Sequence, residues 1–160
     1  MGSDHAQTQG GAPAQVAPDP RPPVRILVVD DEPVIRQLLA ETLGGDGAVV
    51  ELAGAAEEAL SRLATQPFDV ALVDLLLPRP TGWRVLEALR GGEGDRPRAV
   101  VVSARATPAN LTRAFDLGAL DVVAKPFDPM ELSVRVTEIA DLAPDQVDAY
   151  RRAARTRLHV

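Results

Sequence analysis

Short apolar runs alternate along most of the chain with segments whose apolar residues recur every three or four positions. The run Arg25-Ile26-Leu27-Val28-Val29 is almost continuously apolar, as expected of a strand that is buried on both faces. The next segment begins at Pro33 and has apolar residues at helical spacing up to Leu43. The same pattern predicts strands at 25–29, 48–52, 69–73, 98–102 and 120–124, and helices at 33–43, 55–64, 82–90 and 107–117, with a last helix opened by Asp128. This alternation predicts an α/β domain with a five-stranded parallel sheet and helices on both faces.

The two ends of the chain differ from this central pattern. Residues 1–23 are rich in Gly, Ala, Pro and Gln and have almost no large apolar side chains, which predicts a disordered extension. Residues 24–142 contain the whole α/β pattern and are expected to form one domain. Residues 143–160 are predicted to form a basic helical tail with an apolar stripe at Val147, Tyr150, Ala154 and Leu158 and an arginine cluster at Arg151, Arg152, Arg155 and Arg157. This tail is a solvated or docked helix, a partner-binding helix, or the start of a linker cut from a longer protein.

Polar side chains follow four of the five predicted strands, where the otherwise apolar sheet ends. Asp30 and Asp31 follow the first strand, Asp74 the third, Ser103 the fourth and Lys125 the fifth. Taken singly, each has a local interpretation, such as a helix cap for Asp30 or a turn residue for Asp74. Because α/β sheets bind ligands beyond the carboxyl ends of their strands, the five residues together predict a functional site at that edge.

Three carboxylates at one sheet edge need positive charge beside them. At about 4 Å each pair would repel by roughly 4 kcal/mol if the effective dielectric constant is about 20. Lys125, the one lysine among 17 Lys and Arg residues, supplies one positive charge, and a divalent cation would supply two. Oxygen ligands without Cys or His favour Mg²⁺. Mg²⁺, a lysine and a nucleophilic carboxylate predict phosphoryl transfer through an aspartyl phosphate.

The overall composition narrows the classes of function. The net charge of −6 argues against direct nucleic-acid binding by this chain. The absence of Cys excludes disulfides and thiolate metal sites, and it fits a cytoplasmic protein. No apolar run approaches the roughly 20 residues that span a bilayer, and the start of the chain does not read as a signal peptide. We therefore expect no association with a membrane.

The residues at the sheet edge resemble those of a response-regulator receiver domain of bacterial two-component signalling. The resemblance extends over about residues 24–142. The matching segments are Val28-Val29-Asp30-Asp31-Glu32, Asp74-Leu75-Leu76-Leu77-Pro78 with Gly82 after it, Ser103-Ala104 and Lys125-Pro126-Phe127. They occur in the order and at the spacing of the family. The resemblance implies the flavodoxin-like, doubly wound (βα)5 fold and a phosphorylation-dependent switch.

The resemblance also implies an acceptor and a metal site. Asp74 would accept the phosphoryl group from a sensor histidine kinase or a histidine phosphotransfer protein. Asp30, Asp31, Asp74 and the backbone carbonyl of Leu76 would bind Mg²⁺, Asp31 directly and Asp30 largely through water. The chain would catalyse only its own phosphorylation and dephosphorylation. It would then act on a downstream protein that the sequence does not identify.

Two further residues are implied to contact the phosphoryl group, and one position departs from the family pattern. Ser103 and Lys125 would each contact a phosphoryl oxygen, and the Lys125-Pro126 bond would be cis. With Ser103, Val122 occupies the switch position, where many receivers have Tyr or Phe. Because a valine cannot swing an aromatic ring, we expect the acceptor chemistry to survive and the readout to differ.

A possible homodimer face follows from a resemblance to one subfamily. With Glu131-Leu132 and Arg135 after Lys125-Pro126-Phe127, the last helix resembles that of receivers joined to winged-helix DNA-binding domains, which pair through their fourth and fifth helices. Arg113, Asp121 and Arg135 are the expected members of such a face in this chain.

Two other functions compete with the phosphorylation switch. The first is an interaction module that keeps the fold but needs no phosphorylation. Val122 favours it, and the complete set of acids, Ser103 and Lys125 opposes it. The second is a Mg²⁺-dependent phosphohydrolase with an aspartate nucleophile. Such enzymes of the haloacid-dehalogenase-like class have a second Asp two residues after the nucleophile, where this chain has Leu76, so turnover of external phosphate esters is not expected.

Overall fold

Five strands and six α-helices make up the part of the chain that the computed structural model describes, namely residues 10–11, 20–45, 47–90 and 96–158. The strands are β1 Arg25–Val29, β2 Val49–Ala53, β3 Val70–Val73, β4 Arg98–Ser103 and β5 Asp121–Ala124. The helices are α1 Pro33–Gly44, α2 Ala56–Thr65, α3 Gly82–Leu89, α4 Pro108–Asp116, α5 Pro129–Asp141 and α6 Val147–Leu158, with a short 3₁₀ turn at Pro144–Gln146. All strand pairs are parallel, in the order β2-β1-β3-β4-β5. The predicted parallel α/β fold is confirmed.

The core lies in two apolar layers, one on each face of the sheet. Alternate residues of a strand point to opposite faces, so Leu27 and Val29 of β1 belong to one layer and Ile26 and Val28 to the other. Helices α2, α3 and α4 cover the first layer, and α1 and α5 cover the second. Because both faces are covered, the strands read as nearly continuous apolar runs, which is why the sequence pattern located them.

Helix starts agree with the capping residues of the sequence. The Thr107 hydroxyl accepts from the Asn110 amide at 3.3 Å, and the Asp128 carboxylate accepts from the amides of Met130 and Glu131 at 2.8 and 3.1 Å. The Glu131 carboxylate pairs with Arg135 at 2.9 Å, so only half of a capping box forms there. Predicted and observed bounds of strands and helices differ by a few residues, the usual uncertainty at frayed ends.

The structure bears differently on the predictions made for the two ends of the chain. The predicted disordered extension falls mostly on residues 1–9 and 12–19, which lie outside the described residues. At the other end, α6 docks on the domain, and its Ala154 is fully buried in the layer under α2, α3 and α4. The division into segments 24–142 and 143–160 stays a prediction. Within the described ranges, no helix combines the length and apolar character that crossing a bilayer requires.

Candidate functional site

One lysine lies among three carboxylates at the carboxyl edge of the sheet. The Nζ atom of Lys125 is 2.7 Å from Oδ2 of Asp30, 3.0 Å from Oδ2 of Asp74 and 3.1 Å from Oε1 of Glu32. An ammonium has three N–H donors, and these contacts use all of them. The predicted meeting of Asp30, Asp74 and Lys125 is what the structure shows.

Backbone pairing fixes these side chains at the ends of their strands. The amide of Asp30 donates to the carbonyl of Ala53, that of Asp74 to Val29, and that of Lys125 to Ser103, at 3.1, 2.9 and 2.9 Å. Each residue therefore extends the strand pairing by one position beyond the last strand residue. The other oxygens of the two buried carboxylates are also held, because Oδ1 of Asp30 accepts from the Glu32 amide and Oδ1 of Asp74 from the Leu76 amide, each at 2.9 Å. The sheet thus fixes the positions of Asp30, Asp74 and Lys125.

Burial and charge act against each other in this cluster. Asp30 and Asp74 are 2% and 4% exposed. Burial raises the pKa of Asp30, and the hydrogen bonds from Lys125 and from the Glu32 amide offset only part of that rise. Burial disfavours the charged form of Lys125, but its hydrogen bonds with Asp30, Asp74 and Glu32 outweigh this effect and raise its pKa. The lysine therefore stays protonated at neutral pH, while burial disfavours the ionised form of Asp30.

The carboxylates also form a group that suits a divalent cation. Asp30, Asp31, Glu32 and Asp74 each offer an oxygen, and these four oxygens lie within 4.8 Å of one another. Asp31 and Glu32 are exposed, so a partly hydrated ion can reach them. Four carboxylates against one ammonium leave an excess of negative charge, which a divalent cation would reduce. The hard oxygen donors fit Mg²⁺, and the expected ligands Asp30, Asp31 and Asp74 all belong to this group, although their binding of the ion stays a prediction. The part expected of the Leu76 carbonyl stays a prediction.

The two predicted switch positions are both buried. Ser103 ends β4 and is fully buried, and its hydroxyl accepts from the Arg105 amide at 3.1 Å. Val122 is 2% exposed and belongs to the layer under α2, α3 and α4. The expected cis bond at Lys125-Pro126 is present, and a second cis bond, Arg79-Pro80, was not expected.

The expected dimer face needs a correction at Asp121. This residue is fully buried, and its carboxylate contacts Tyr150 and Arg157 of α6 as well as Arg135. A carboxylate that is covered by the chain's own helix is not available on an exposed face. Arg113 remains about half exposed, with its guanidinium 4.1 Å from the centre of the Trp83 ring. Homodimerisation itself stays a prediction.

Sequence reasoning missed two side chains that organise the site. Glu32 was noted in the motif but given no role, although it contacts the lysine. Arg36, one helical turn into α1, donates from Nη1 to the backbone carbonyl of Asp30 at 2.8 Å. In the sequence, the only indication of this role was the position of Arg36 on the helix that directly follows Asp30 and Asp31.

Replacement of Asp30 by asparagine is expected to stabilise the metal-free protein. We expect the free energy of unfolding to rise by on the order of 1 kcal/mol at neutral pH in EDTA. The pKa of Asp30 is raised in the folded state, so the stability that Asp30 contributes is present at low pH and is lost as the pH rises through the folded pKa. The gain from asparagine should therefore shrink towards acidic pH. Urea unfolding of both proteins across this range measures it, with Asp31→Asn as the exposed control, and a gain that does not depend on pH would contradict the argument.

Comparison with known proteins identifies the family of this fold and site. A family model for the response regulator receiver domain matches residues 26–137, so the chain belongs to the response-regulator receiver family. It is thus a receiver domain of phosphorylation-dependent two-component signalling and not a classical enzyme. The family generally binds Mg²⁺ at an acidic cluster, and this chain has such a cluster.

Particular relatives support the same assignment. Response regulator MprA of Mycolicibacterium vanbaalenii is 39% identical over 114 residues, which cover 71% of this chain and 49% of that protein. The chain therefore spans about half the length of the MprA relatives that it matches. A CheY-like receiver domain protein of Methanospirillum hungatei aligns with a TM-score of 0.68 at 28% identity, covering 82% of this chain and 99% of that one. A response regulator of Burkholderia pseudomallei, solved with a phosphorylated aspartic acid, a calcium ion and citrate, aligns with a TM-score of 0.63 at 27% identity, covering 72% of this chain and 71% of that one.

Proposed function

We propose that Asp74 accepts a phosphoryl group from a sensor histidine kinase or a histidine phosphotransfer protein and thereby switches a downstream interaction. The observation that supports this most directly is the Lys125 ammonium, which contacts both Asp30 and Asp74 inside an acidic cluster. A purely structural ion pair needs one acid for one lysine, whereas this site has a surplus of carboxylates. That surplus is what a metal-assisted phosphoryl acceptor requires.

Each residue of the site has a separate role in the phosphoryl transfer. An oxygen of Asp74 attacks the phosphorus while the bond to the donor's histidine nitrogen breaks, so the phosphoryl group moves and the imidazole leaves. Mg²⁺, when bound by Asp30, Asp31, Asp74 and the Leu76 carbonyl, supplies charge neutralisation at the phosphoryl oxygens. Lys125 pairs with one phosphoryl oxygen, and the Ser103 hydroxyl donates to another. The sheet holds these groups in place before the donor arrives, which limits the reorganisation that the transfer requires.

The competing functions are less well supported by the site. A phosphorylation-independent interaction module would not need the acids, Ser103 and Lys125 together. A phosphohydrolase would need a general acid near Asp74. Leu76 stands at the position where such an enzyme has its second Asp.

The proposal extends to the setting in which the chain works. The lack of cysteine and the two-component chemistry favour the cytoplasm. The downstream partner is a protein, and a second copy that binds through α4 and α5 is one form this partner can take. The net charge of −6 favours a protein partner over nucleic acid for this chain.

Labelling with acetyl phosphate tests the proposed acceptor. We expect the native chain to gain one phosphoryl group in Mg²⁺ and to lose nearly all labelling in EDTA, because the negative cluster repels the phosphodonor. Asp74→Asn should abolish labelling, and Asp145→Asn, at an exposed aspartate of the 3₁₀ turn, should leave it intact. Intact-mass spectrometry measures the product. Folded protein that stays unlabelled in Mg²⁺ would instead favour the phosphorylation-independent module.

A further inference from the structure

The C-terminal helix α6 lies against the edge of the sheet at β5 and against α4. Its Ala154 is fully buried in the same apolar layer as Val122, Leu111 and Ala114. Its Tyr150 packs against the apolar layers of both faces, so it lies at the edge of the sheet between them. The helix therefore covers an edge strand that would otherwise be open.

A buried carboxylate anchors this helix. Asp121 begins β5 and is fully buried. Its Oδ2 atom is 3.1 Å from the Tyr150 hydroxyl, 3.2 Å from Nη2 of Arg157 and 3.6 Å from Nη1 of Arg135. Two of these three partners belong to α6. Burial, followed by the charge of Asp121, raises the pKa of Tyr150, so the phenol remains a hydrogen-bond donor at neutral pH. If α6 left, Oδ2 of Asp121 would keep only Arg135 of α5 and would have to be rehydrated, while Oδ1 would still accept from the Val122 amide at 2.9 Å.

Further polar contacts extend the docking to α4 and to the turn that follows it. Arg155 lies 3.3 Å from the Asp116 carboxylate at the end of α4, and Arg151 donates to the Gly118 carbonyl at 3.4 Å. The helix thus bridges the end of α4 and the start of β5. A relative shift of α4 and β5 would break some of these contacts, because α6 cannot follow both.

Strand β5 connects the docked helix to the acidic site, because α6 contacts the start of this strand and the acidic site lies at its other end. β5 has four residues, with Asp121 at its start, and Lys125 follows its last residue. The Lys125 amide donates to the Ser103 carbonyl at 2.9 Å, and Ser103 leads through residues 104–107 into α4. A phosphoryl group on Asp74 would attract the Lys125 ammonium and the Ser103 hydroxyl, and so would act on both elements to which α6 is attached.

We infer that α6 is a detachable cover of the α4–β5 face and that occupancy of the phosphoryl site loosens it. The inference rests on the proposed function for its trigger, but the docking itself does not. Release would uncover Asp121 and the apolar residues around it. The uncovered face would suit a partner helix that presents a tyrosine and an arginine as α6 does. Val122 cannot report phosphorylation by turning a ring, and a mobile α6 provides another readout.

Hydrogen–deuterium exchange of the full chain tests this inference. The double variant Tyr150→Phe with Arg157→Gln removes both α6 partners of Asp121, and we expect amide exchange in residues 147–158 to rise by about tenfold. The matched control is Arg152→Gln, at an exposed arginine of the same helix, which should exchange as the native chain does. Beryllofluoride with Mg²⁺, a mimic of the phosphoryl group, should raise the exchange of native α6 towards that of the double variant. Coupling between two equilibria is reciprocal. If beryllofluoride favours release of α6 by a certain factor, the double variant, in which α6 is released, should bind beryllofluoride more tightly by the same factor.

Fluorine NMR of the same samples distinguishes failure of the coupling from failure of the proposed phosphoryl site. A resonance from protein-bound beryllofluoride with unchanged or slower α6 exchange would overturn the coupling and leave the acceptor site standing. No bound resonance in the native chain would contradict the proposed phosphoryl site and the coupling with it. Equal exchange in the native chain and the double variant, measured without the mimic, would overturn the anchoring role of Asp121 whatever the fate of the phosphoryl site.

Discussion

Replacement of Gly82 by alanine is expected to destabilise the protein by about 3 kcal/mol or more, the upper range for overpacking of a rigid site. Gly82 begins α3 directly over the loop that holds Asp74. A Cβ atom here would lie 2.8 Å from the carbonyl carbon of Asp74 and 2.8 Å from Cα of Leu75, and closer still to the Asp74 carbonyl oxygen. All three atoms are backbone, so no side chain can turn away to make room. Either α3 or the acceptor residue must move, and phosphorylation should fall together with stability.

Gly44 provides a matched control for this prediction. It is the last residue of α1, and an alanine Cβ there would meet nothing within 4 Å. Gly44→Ala should be neutral or stabilise the protein by up to about 1 kcal/mol, the usual gain for this change in a helix. Urea unfolding and acetyl-phosphate labelling of both variants are the measurements. Equal stability of Gly82→Ala and Gly44→Ala would show that the α3 start is free to shift, contrary to the packing described here.

The parts that were predictable from the sequence are those that the parallel sheet dictates. Asp30, Asp74 and Lys125 each come directly after an apolar run, and in a parallel sheet such positions share one edge. Charge balance then required the lysine and the acids to meet. The spacing of Gly82 after Asp74 belonged to the recognised pattern, and the structure adds its physical reason, which is the close approach of two backbone segments.

The parts that could not be predicted depend on contacts between elements that are distant in sequence. Asp121 interrupts the apolar run from Leu120 to Val123, which signals that a buried carboxylate needs a partner. Nothing local identifies Tyr150 or Arg157 as that partner, because any of several arginines on α6 could reach it. The amphipathic stripe of α6 left open whether the helix is solvated, docks on the domain or binds a partner, and it did not identify a face for docking. Glu32 was missed for a similar reason, since it is exposed and its contact depends on the bend of the chain before α1.

Replacement of Lys125 by methionine is expected to make the stability of the protein depend on Mg²⁺. The lysine side chain is 12% exposed and contacts the buried carboxylates of Asp30 and Asp74. Methionine has a similar length and apolar stem, so it removes the charge with little change in packing. Loss of one partner of a buried ion pair costs on the order of 3 kcal/mol, because the other charge is left uncompensated. In EDTA we therefore expect a large drop in the urea midpoint, whereas Arg84→Met, at an exposed surface pair, should change it little.

Mg²⁺ and a second substitution separate charge from packing as the cause of this loss. A bound divalent cation stabilises whichever folded state binds it, and it should restore more stability to Lys125→Met than it adds to the native chain, since it replaces the missing positive charge. The double variant Lys125→Met with Asp74→Asn has one fewer unpaired carboxylate and should recover part of the loss in EDTA. The double variant could be as unstable as Lys125→Met, and Mg²⁺ could stabilise Lys125→Met and the native chain equally. That result would show that the lysine acts through the packing of its apolar stem. Recovery by both routes would show that the single lysine of this chain is kept for its charge at the point where the buried acids meet.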